Sequence, residues 1–215
     1  MNDDLTVIIG TCDAYLKFIP NCMSLLNKYF EPDVRKIIVG ETKSVERDGY
    51  EWILPGKGSW GRRMKEAFQE TNTKYCFFIL DDYYLHQKLS KEYFSWITSF
   101  MDREDANKVT LTPVPNWAGY KYTETLDTIK RMSKDSEWLA SVQPSVWKTS
   151  QFLSIVEDDY NPWDFEIKGS EKLKGEEDSH FVVLLDVPLY FNIARKGGTL
   201  TKGWQDFLNS EGLSL

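Results

Sequence analysis

YCFFILDDYYL, Tyr75 to Leu85, sets six apolar or aromatic residues directly ahead of Asp81-Asp82. A continuous apolar run of this length predicts a strand buried on both faces, as in the middle of a parallel sheet. Ligands of such sheets bind outside the carboxyl ends of the strands. The two carboxylates fall at that end. Adjacent acids repel, and need a cation, a set of donors or a proton to be tolerated. Asp81-Asp82 therefore reads as the polar floor of a ligand site; a solvated turn after the strand is the alternative, because Asp is common in turns.

Upstream, Leu5–Gly10 is a short β-rich run ending in glycine, followed by Thr11-Cys12-Asp13. Phe18 to Phe30 carries apolar residues at spacings of three and four, with Pro20 in its first turn and Pro32 beyond its end, so a helix is predicted. Lys36–Val39 is a second strand, and Gly40-Glu41 opens its loop. This βαβ opening predicts a right-handed crossover and a parallel pair. Glu51–Leu54 is a third strand. Gly56-Lys57-Gly58-Ser59 then leads into a helix from Trp60 to Glu70. Glycines, a lysine and a helix N-terminus can cradle an anion, but a plain turn and capped helix is the favoured reading. Arg62 and Arg63 lie in the first turn, where the helix dipole disfavours cations, which points to something negative nearby. A second amphipathic helix surrounds Tyr93–Met101, and Lys108–Thr112 is a fifth strand. Alternating strands and helices predict an α/β sandwich with a mostly parallel sheet.

The character changes at Pro113. Pro113–Tyr122 is aromatic and punctuated by proline, and reads as a loop or lid. Trp138–Val142 is strand-like, and Thr149–Val156 is a short helix. Asn161-Pro162-Trp163-Asp164-Phe165-Glu166 opens another helix, with proline at its first position. Asp164 and Glu166, two apart, point different ways on a helix, so one can face a cleft while the other caps or meets water. Phe181–Leu185 and Leu189–Asn192 are strand-like. Arg195-Lys196-Gly197-Gly198 and Lys202-Gly203-Trp204 form a basic, glycine-rich tail, either solvated or a flap that brings cations to a phosphate.

The 215 residues are 41% hydrophobic and 14% aromatic, ample for a core. A net charge of −7, from 26 basic and 33 acidic residues, argues against a nucleic-acid surface. No run approaches a membrane span, so at most peripheral membrane contact is expected. Met1–Gly10 has no basic n-region, so no signal peptide is expected. Three cysteines suit reduced thiols in a cytoplasmic protein. Two histidines without metal-ligand spacing make zinc improbable, and the G-x-S-x-G and G-x-G-x-x-G patterns are absent.

Taken together, T-C-D after strand one, G-E after strand two, the G-S-W-G-R-R loop and a strand ending L-D-D-Y-Y-L resemble the GT-A fold glycosyltransferases. Trp60–Arg63, Leu80–Leu85, Gln143–Trp147 (Q-P-x-x-W) and Trp163–Glu166 (W-x-F-E) further resemble bacterial sugar transferases of surface-polysaccharide clusters. The resemblance implies an α/β GT-A-like, Rossmann-type sandwich with a mostly parallel central sheet and an acceptor-side lobe. It is expected to form a single domain over 1–215, with residues 1–113 as the nucleotide-sugar half and 114–215 as the acceptor half and C-terminal flap. It implies transfer from a nucleotide-diphosphate sugar to a glycan or lipid-linked acceptor in capsule, O-antigen or exopolysaccharide synthesis. A non-catalytic nucleotide-sugar or carbohydrate-binding module of the same fold is the alternative. By the resemblance, Thr11, Cys12, Glu41, Trp60, Arg63, Asp81, Asp82, Arg195 and Lys196 bind the donor. Asp164 and Glu166 are the candidate bases, with Asp164 preferred. Asp82 takes a divalent metal, Mn²⁺ or Mg²⁺. The family pattern is D-x-D, and Tyr83 stands where its last carboxylate belongs, which leaves open a metal-free site neutralised by Arg195, Lys196 or Lys202.

Overall fold

The computed structural model describes residues 4–111, 121–126, 128–174, 180–183 and 189–215, with backbone alone at positions 126, 182, 183 and 196. The first half alternates as expected. It comprises β1 (Leu5–Gly10), a 3₁₀ turn (Leu16–Phe18), α1 (Ile19–Tyr29), β2 (Arg35–Val39), β3 (Glu51–Ile53), α2 (Trp60–Glu70), β4 (Tyr75–Leu80), β5 (Tyr83–Leu85), α3 (Lys91–Arg103) and β6 (Lys108–Thr110). Next come β7 (Tyr122–Leu126), β8 (Ile129–Met132), β9 (Ser145–Lys148), α4 (Thr149–Ile155) and α5 (Pro162–Asp164). A π-helical stretch (Phe165–Gly169) continues α5 into α6 (Ser170–Leu173). The chain closes with β10 (His180–Val183), β11 (Tyr190–Asn192), β12 (Ala194–Arg195), a tight turn through Lys196–Gly198, β13 (Thr199–Leu200) and α7 (Trp204–Glu211).

The central sheet has nine strands in the order β3-β2-β1-β4-β9-β6-β10-β8-β7. β3, β2, β1 and β4 are all parallel, and β6 and β10 are parallel to each other. β9 enters antiparallel between β4 and β6. Every residue of β1 is buried, and so are Tyr75–Ile79 of β4. Alternate side chains of β1 and β4 serve opposite layers. Val7, Ile9, Phe77 and Ile79 pack with α1 and α3; Ile8, Cys76 and Phe78 pack with α2 and α4. This is the physical meaning of an unbroken apolar run: both faces are covered, so neither needs polar positions. The second layer holds a dense aromatic stack, with Phe68 and Phe152 parallel at 3.6 Å between centroids and Trp60, Phe165 and Trp147 around them.

One local expectation changes. Trp138–Val142 is a turn rather than a strand, with Trp138 in the left-handed region at φ 61°. The strand of this region is β9, which starts after Pro144 and is pinned between β4 and β6. Its apolar residues were legible, but its long-range pairing was not. The proposed lid at Pro113–Tyr122 falls mostly outside the described residues. Among the described residues no helix is long and apolar enough to cross a membrane.

Candidate active site

β4 ends at Leu80, and the chain must leave the sheet there. Asp81 remains in register through its N–H, which donates to the Gly10 carbonyl at 3.1 Å. Tyr83 then begins β5, which pairs antiparallel with β11, Tyr83 opposite Asn192. Its ring meets Tyr190 edge-on at 4.7 Å. Tyr83 is thus committed to a second, two-stranded sheet, which accounts for an aromatic residue after the two acids.

The Asp81-Asp82 corner faces a cavity of about 540 Å³. Gly10, Thr11, Cys12 and Tyr15 line it from the β1 end, Glu41 from the β2 end, and Trp60 and Arg63 from the first turn of α2. Val142, Trp163 and Glu166 close the far side, and Asn192, Ala194 and Arg195 cover it. The expected donor residues Thr11, Cys12, Glu41, Trp60, Arg63, Asp81, Asp82 and Arg195 therefore all line one cavity. Lys196 follows Arg195 in the turn, but its side chain is outside the described residues. Tyr15, Val142, Trp163 and Asn192 were not anticipated: Tyr15 and Val142 sit in turns with no periodic pattern, and Trp163 and Asn192 lie at the ends of short elements whose long-range placement no local pattern fixes.

Asp81 is 4% exposed and accepts a hydrogen bond from the Thr11 hydroxyl. Burial, and next the charge of Asp82, push its pKa well above the usual carboxylate range. Asp82 is pushed up to about 7, chiefly by burial. Its Oδ1 is buried and has no hydrogen-bond partner among the described residues. A buried carboxylate oxygen left without a donor is costly, and a cation satisfies it. Arg63, 4% exposed, donates from Nη1 to the Thr11 carbonyl at 3.0 Å and lies 3.7 Å from Glu41. Its Nε, like the Trp60 Nε1, is a buried donor without a partner among the described residues. The negative neighbour inferred for the first turn of α2 is thus Glu41 for Arg63, while Arg62 pairs along its own helix with Glu66 at 2.8 Å.

The anion cradle suggested by Gly56–Ser59 is filled by protein. The Gly61 N–H donates to the Tyr160 carbonyl at 2.7 Å, and the Ser59 hydroxyl donates to the Asp158 carbonyl. A Cβ at Gly61 would collide with the Glu157 carbonyl oxygen, which is backbone and cannot swing away. Gly61→Ala is expected to destabilise the protein by at least about 2 kcal/mol through this overpacking. A denaturant melt with an unchanged midpoint would contradict the close approach.

Asp164 and Glu166 part company. Asp164 forms a capping box with Asn161 and an ion pair with Lys168 at 2.9 Å. The Lys168 hydrogen bond holds its pKa below the usual range. Asp164 does not line the cavity; Glu166 does. Glu166 sits on the π-helical stretch, where a wider turn re-aims side chains. Its Oε1 accepts from the Val142 N–H at 2.9 Å, and burial raises its pKa. Trp163, at 48% exposure, sits at the rim beside it.

No protein-family model matches the sequence, and no curated protein does. Solved structures match its shape. TarS of S. aureus, a staphylococcal teichoic acid glycosyltransferase, was solved with UDP-GlcNAc; it superposes with a TM-score of 0.62 at 15% identity, over 90% of this chain and 59% of that one. The mannosyltransferase PcManGT from Pyrobaculum calidifontis, in complex with GDP-Man and Mn²⁺, gives a TM-score of 0.57 at 9% identity, over 91% of this chain and 58% of that one. The chain has a GT-A-like glycosyltransferase fold. It spans about three-fifths of the length of these GT-A-like chains. Among the described residues no group of three or more His, Cys, Asp or Glu side chains could hold a metal. Mn²⁺ or Mg²⁺ can nonetheless be held by one or two carboxylates together with substrate phosphates and water. The unpartnered Asp82 Oδ1, with Asp81 beside it, fits that smaller role.

Proposed function

We propose that the chain is a glycosyltransferase that takes a sugar from a nucleotide-diphosphate donor and passes it to a glycan or lipid-linked acceptor. The bacterial surface-polysaccharide pathways, capsule, O-antigen or exopolysaccharide, are the setting the sequence motifs favour. One observation carries the reading: on a GT-A-like fold, the buried Asp81 and the half-buried Asp82, whose Oδ1 has no partner among the described residues, share a single cavity with the half-buried Glu166.

The nucleoside lies over the ends of β1 and β2, against Thr11, Cys12 and Glu41. Asp82, with Asp81, would hold a divalent cation, which would stabilise the charge growing on the leaving group. Trp60 Nε1 and Arg63 Nε offer donors to the sugar-phosphate, and Arg195 adds positive charge at the rim. Glu166 accepts the proton of the acceptor hydroxyl as that oxygen bonds to the anomeric carbon and the bond to phosphate breaks, releasing nucleoside diphosphate. A carboxylate with a raised pKa is a stronger base, which suits this step. Trp163 offers the acceptor a ring to stack on.

A thermal-shift panel of UDP-, GDP-, CMP- and dTDP-sugars, with and without Mn²⁺, tests the reading. A ligand at a hundred times its Kd stabilises by about 2.7 kcal/mol, which is roughly 5–10 °C for a domain of this size. One donor class should reach that shift only with the cation and should release nucleotide on incubation. Stabilisation without nucleotide release, with acceptor present, would favour the binding module instead, and no shift with any donor would remove the proposal.

A further inference from the structure

Lys108 lies on β6 behind the cavity and is 1% exposed. A buried ammonium is expensive unless it is paired or fully hydrogen-bonded. Its hydrogen-bond acceptors here are all neutral. Nζ donates to the Leu139 carbonyl at 3.0 Å, the Ser141 carbonyl at 3.1 Å and, more weakly, the Ser141 hydroxyl at 3.4 Å. It also stands 4.8 Å from the centre of the Trp147 ring. All three acceptors belong to Leu139 and Ser141, in the turn that follows Trp138, the residue in the left-handed region. The next residue along, Val142, gives its N–H to Glu166 Oε1.

The turn is clamped from the other side as well. The Ala140 N–H donates to the Ser170 hydroxyl at 3.0 Å, and that hydroxyl donates to the Glu166 carbonyl. A Cβ at Gly169 would come within 3.0 Å of Ala140 Cβ, so helix and turn are in close contact. Lys108, the turn and Glu166 thus form one chain of contacts, from the sheet to the cavity wall.

We propose that Lys108 is a positioning residue for Glu166: it fixes the turn whose Val142 N–H holds the Glu166 carboxylate. The activity side of this inference rests on the role of Glu166 proposed above; the positioning side does not. Burial lowers the Lys108 pKa to about 7, and Glu166 is the charged group that opposes this. Lys108 in turn opposes the rise at Glu166. From the neighbouring β10, His180 stands opposite Lys108 in register. Burial, and next the Lys108 charge, hold His180 down at about 3, so it stays neutral and adds no competing cation. From β9, Trp147 contributes only its ring.

The test compares the full chain with Lys108→Met, Lys108→Gln and Lys108→Arg. The Glu166 carboxyl is followed by ¹³C NMR through a pH titration and assigned by its loss in Glu166→Gln. Removing the cation should move the Glu166 midpoint to higher pH in the Met and Gln variants, and the Arg variant should restore part of the change. If transfer activity is present, kcat should fall about 10- to 100-fold, as for a small misplacement of a reacting group. The acid limb of the pH–rate profile should follow the carboxyl midpoint, and donor Kd should stay within about twofold of the parent protein's, as the transition-state group alone is disturbed. A folded Met or Gln variant with the parent's carboxyl midpoint would overturn the proposal, and so would failure of both to fold, which would assign Lys108 to the core alone. A parent protein that binds no nucleotide sugar would remove the glycosyltransferase reading while leaving the carboxyl titration to decide on Lys108.

Discussion

Asp82→Asn is expected to make the empty protein more stable at pH 8 and to abolish cation-dependent donor binding. The two effects share one cause. The Asp82 pKa stands at about 7, raised by burial from 3.8. Between those values the folded state binds more protons than the unfolded state. Stability therefore falls as pH rises through that window, and the full cost is present above pH 7. Three pH units correspond to about 4 kcal/mol. Asparagine removes that slope and keeps a carbonyl oxygen of similar size. It also relieves Asp81, whose neighbour's charge is the second cause of its raised pKa. The same change takes away the anionic oxygen for Mn²⁺ or Mg²⁺, so the donor-induced thermal shift should lose its dependence on the cation. Melting curves from pH 4 to 8, with and without Mn²⁺ and donor, read both effects. Superimposable curves for parent and variant would show that Asp82 is neither a buried charge nor a cation ligand.

For Glu166→Gln the expected result is a fall in transfer rate of about 10²- to 10⁴-fold, the range for removing a general base. Donor binding should change less than twofold, since Glu166 is not among the residues assigned to the nucleoside and diphosphate. Glutamine preserves the hydrogen bond from the Val142 N–H, so the fold should tolerate it. Because burial raises the Glu166 pKa, transfer in the parent protein should climb with pH as the carboxyl loses its proton. Asp164→Asn is the matched control. Asp164 is held in the capping box and by Lys168 at the surface, so its loss should lower stability only slightly and leave turnover within a few-fold. Equal losses in the two variants would contradict the assignment of the base to Glu166, as would full activity in Glu166→Gln.

These two acids show where sequence reading stops. Their spacing on a helix establishes that they cannot face the same way, but not which one faces the cavity. That choice depends on the π-helical turn at Phe165–Gly169 and on the Val142 N–H, which arrives from a turn more than twenty positions earlier. Likewise the first turn of α2 predicts a negative partner for Arg63, but only the packed structure shows it to be Glu41. The supposed anion cradle at Gly56–Ser59 was a local pattern overridden by a remote segment, since Tyr160 and Asp158 supply carbonyls to the groups a phosphate would have met.

The chain by itself determined the parallel half-sheet and the two acids at its edge. Both follow from local rules: an unbroken apolar run must be covered on both faces, and carboxylates cannot remain in it. Tertiary structure decided what those acids meet. β5 turns Tyr83 into a second sheet against β11, leaving Asp82 Oδ1 buried with no partner among the described residues, and the Lys108-held turn brings Val142 to Glu166 across the cavity. Such pairings join residues tens of positions apart, and their energy comes from burial and hydrogen-bond geometry that no local pattern of residues encodes.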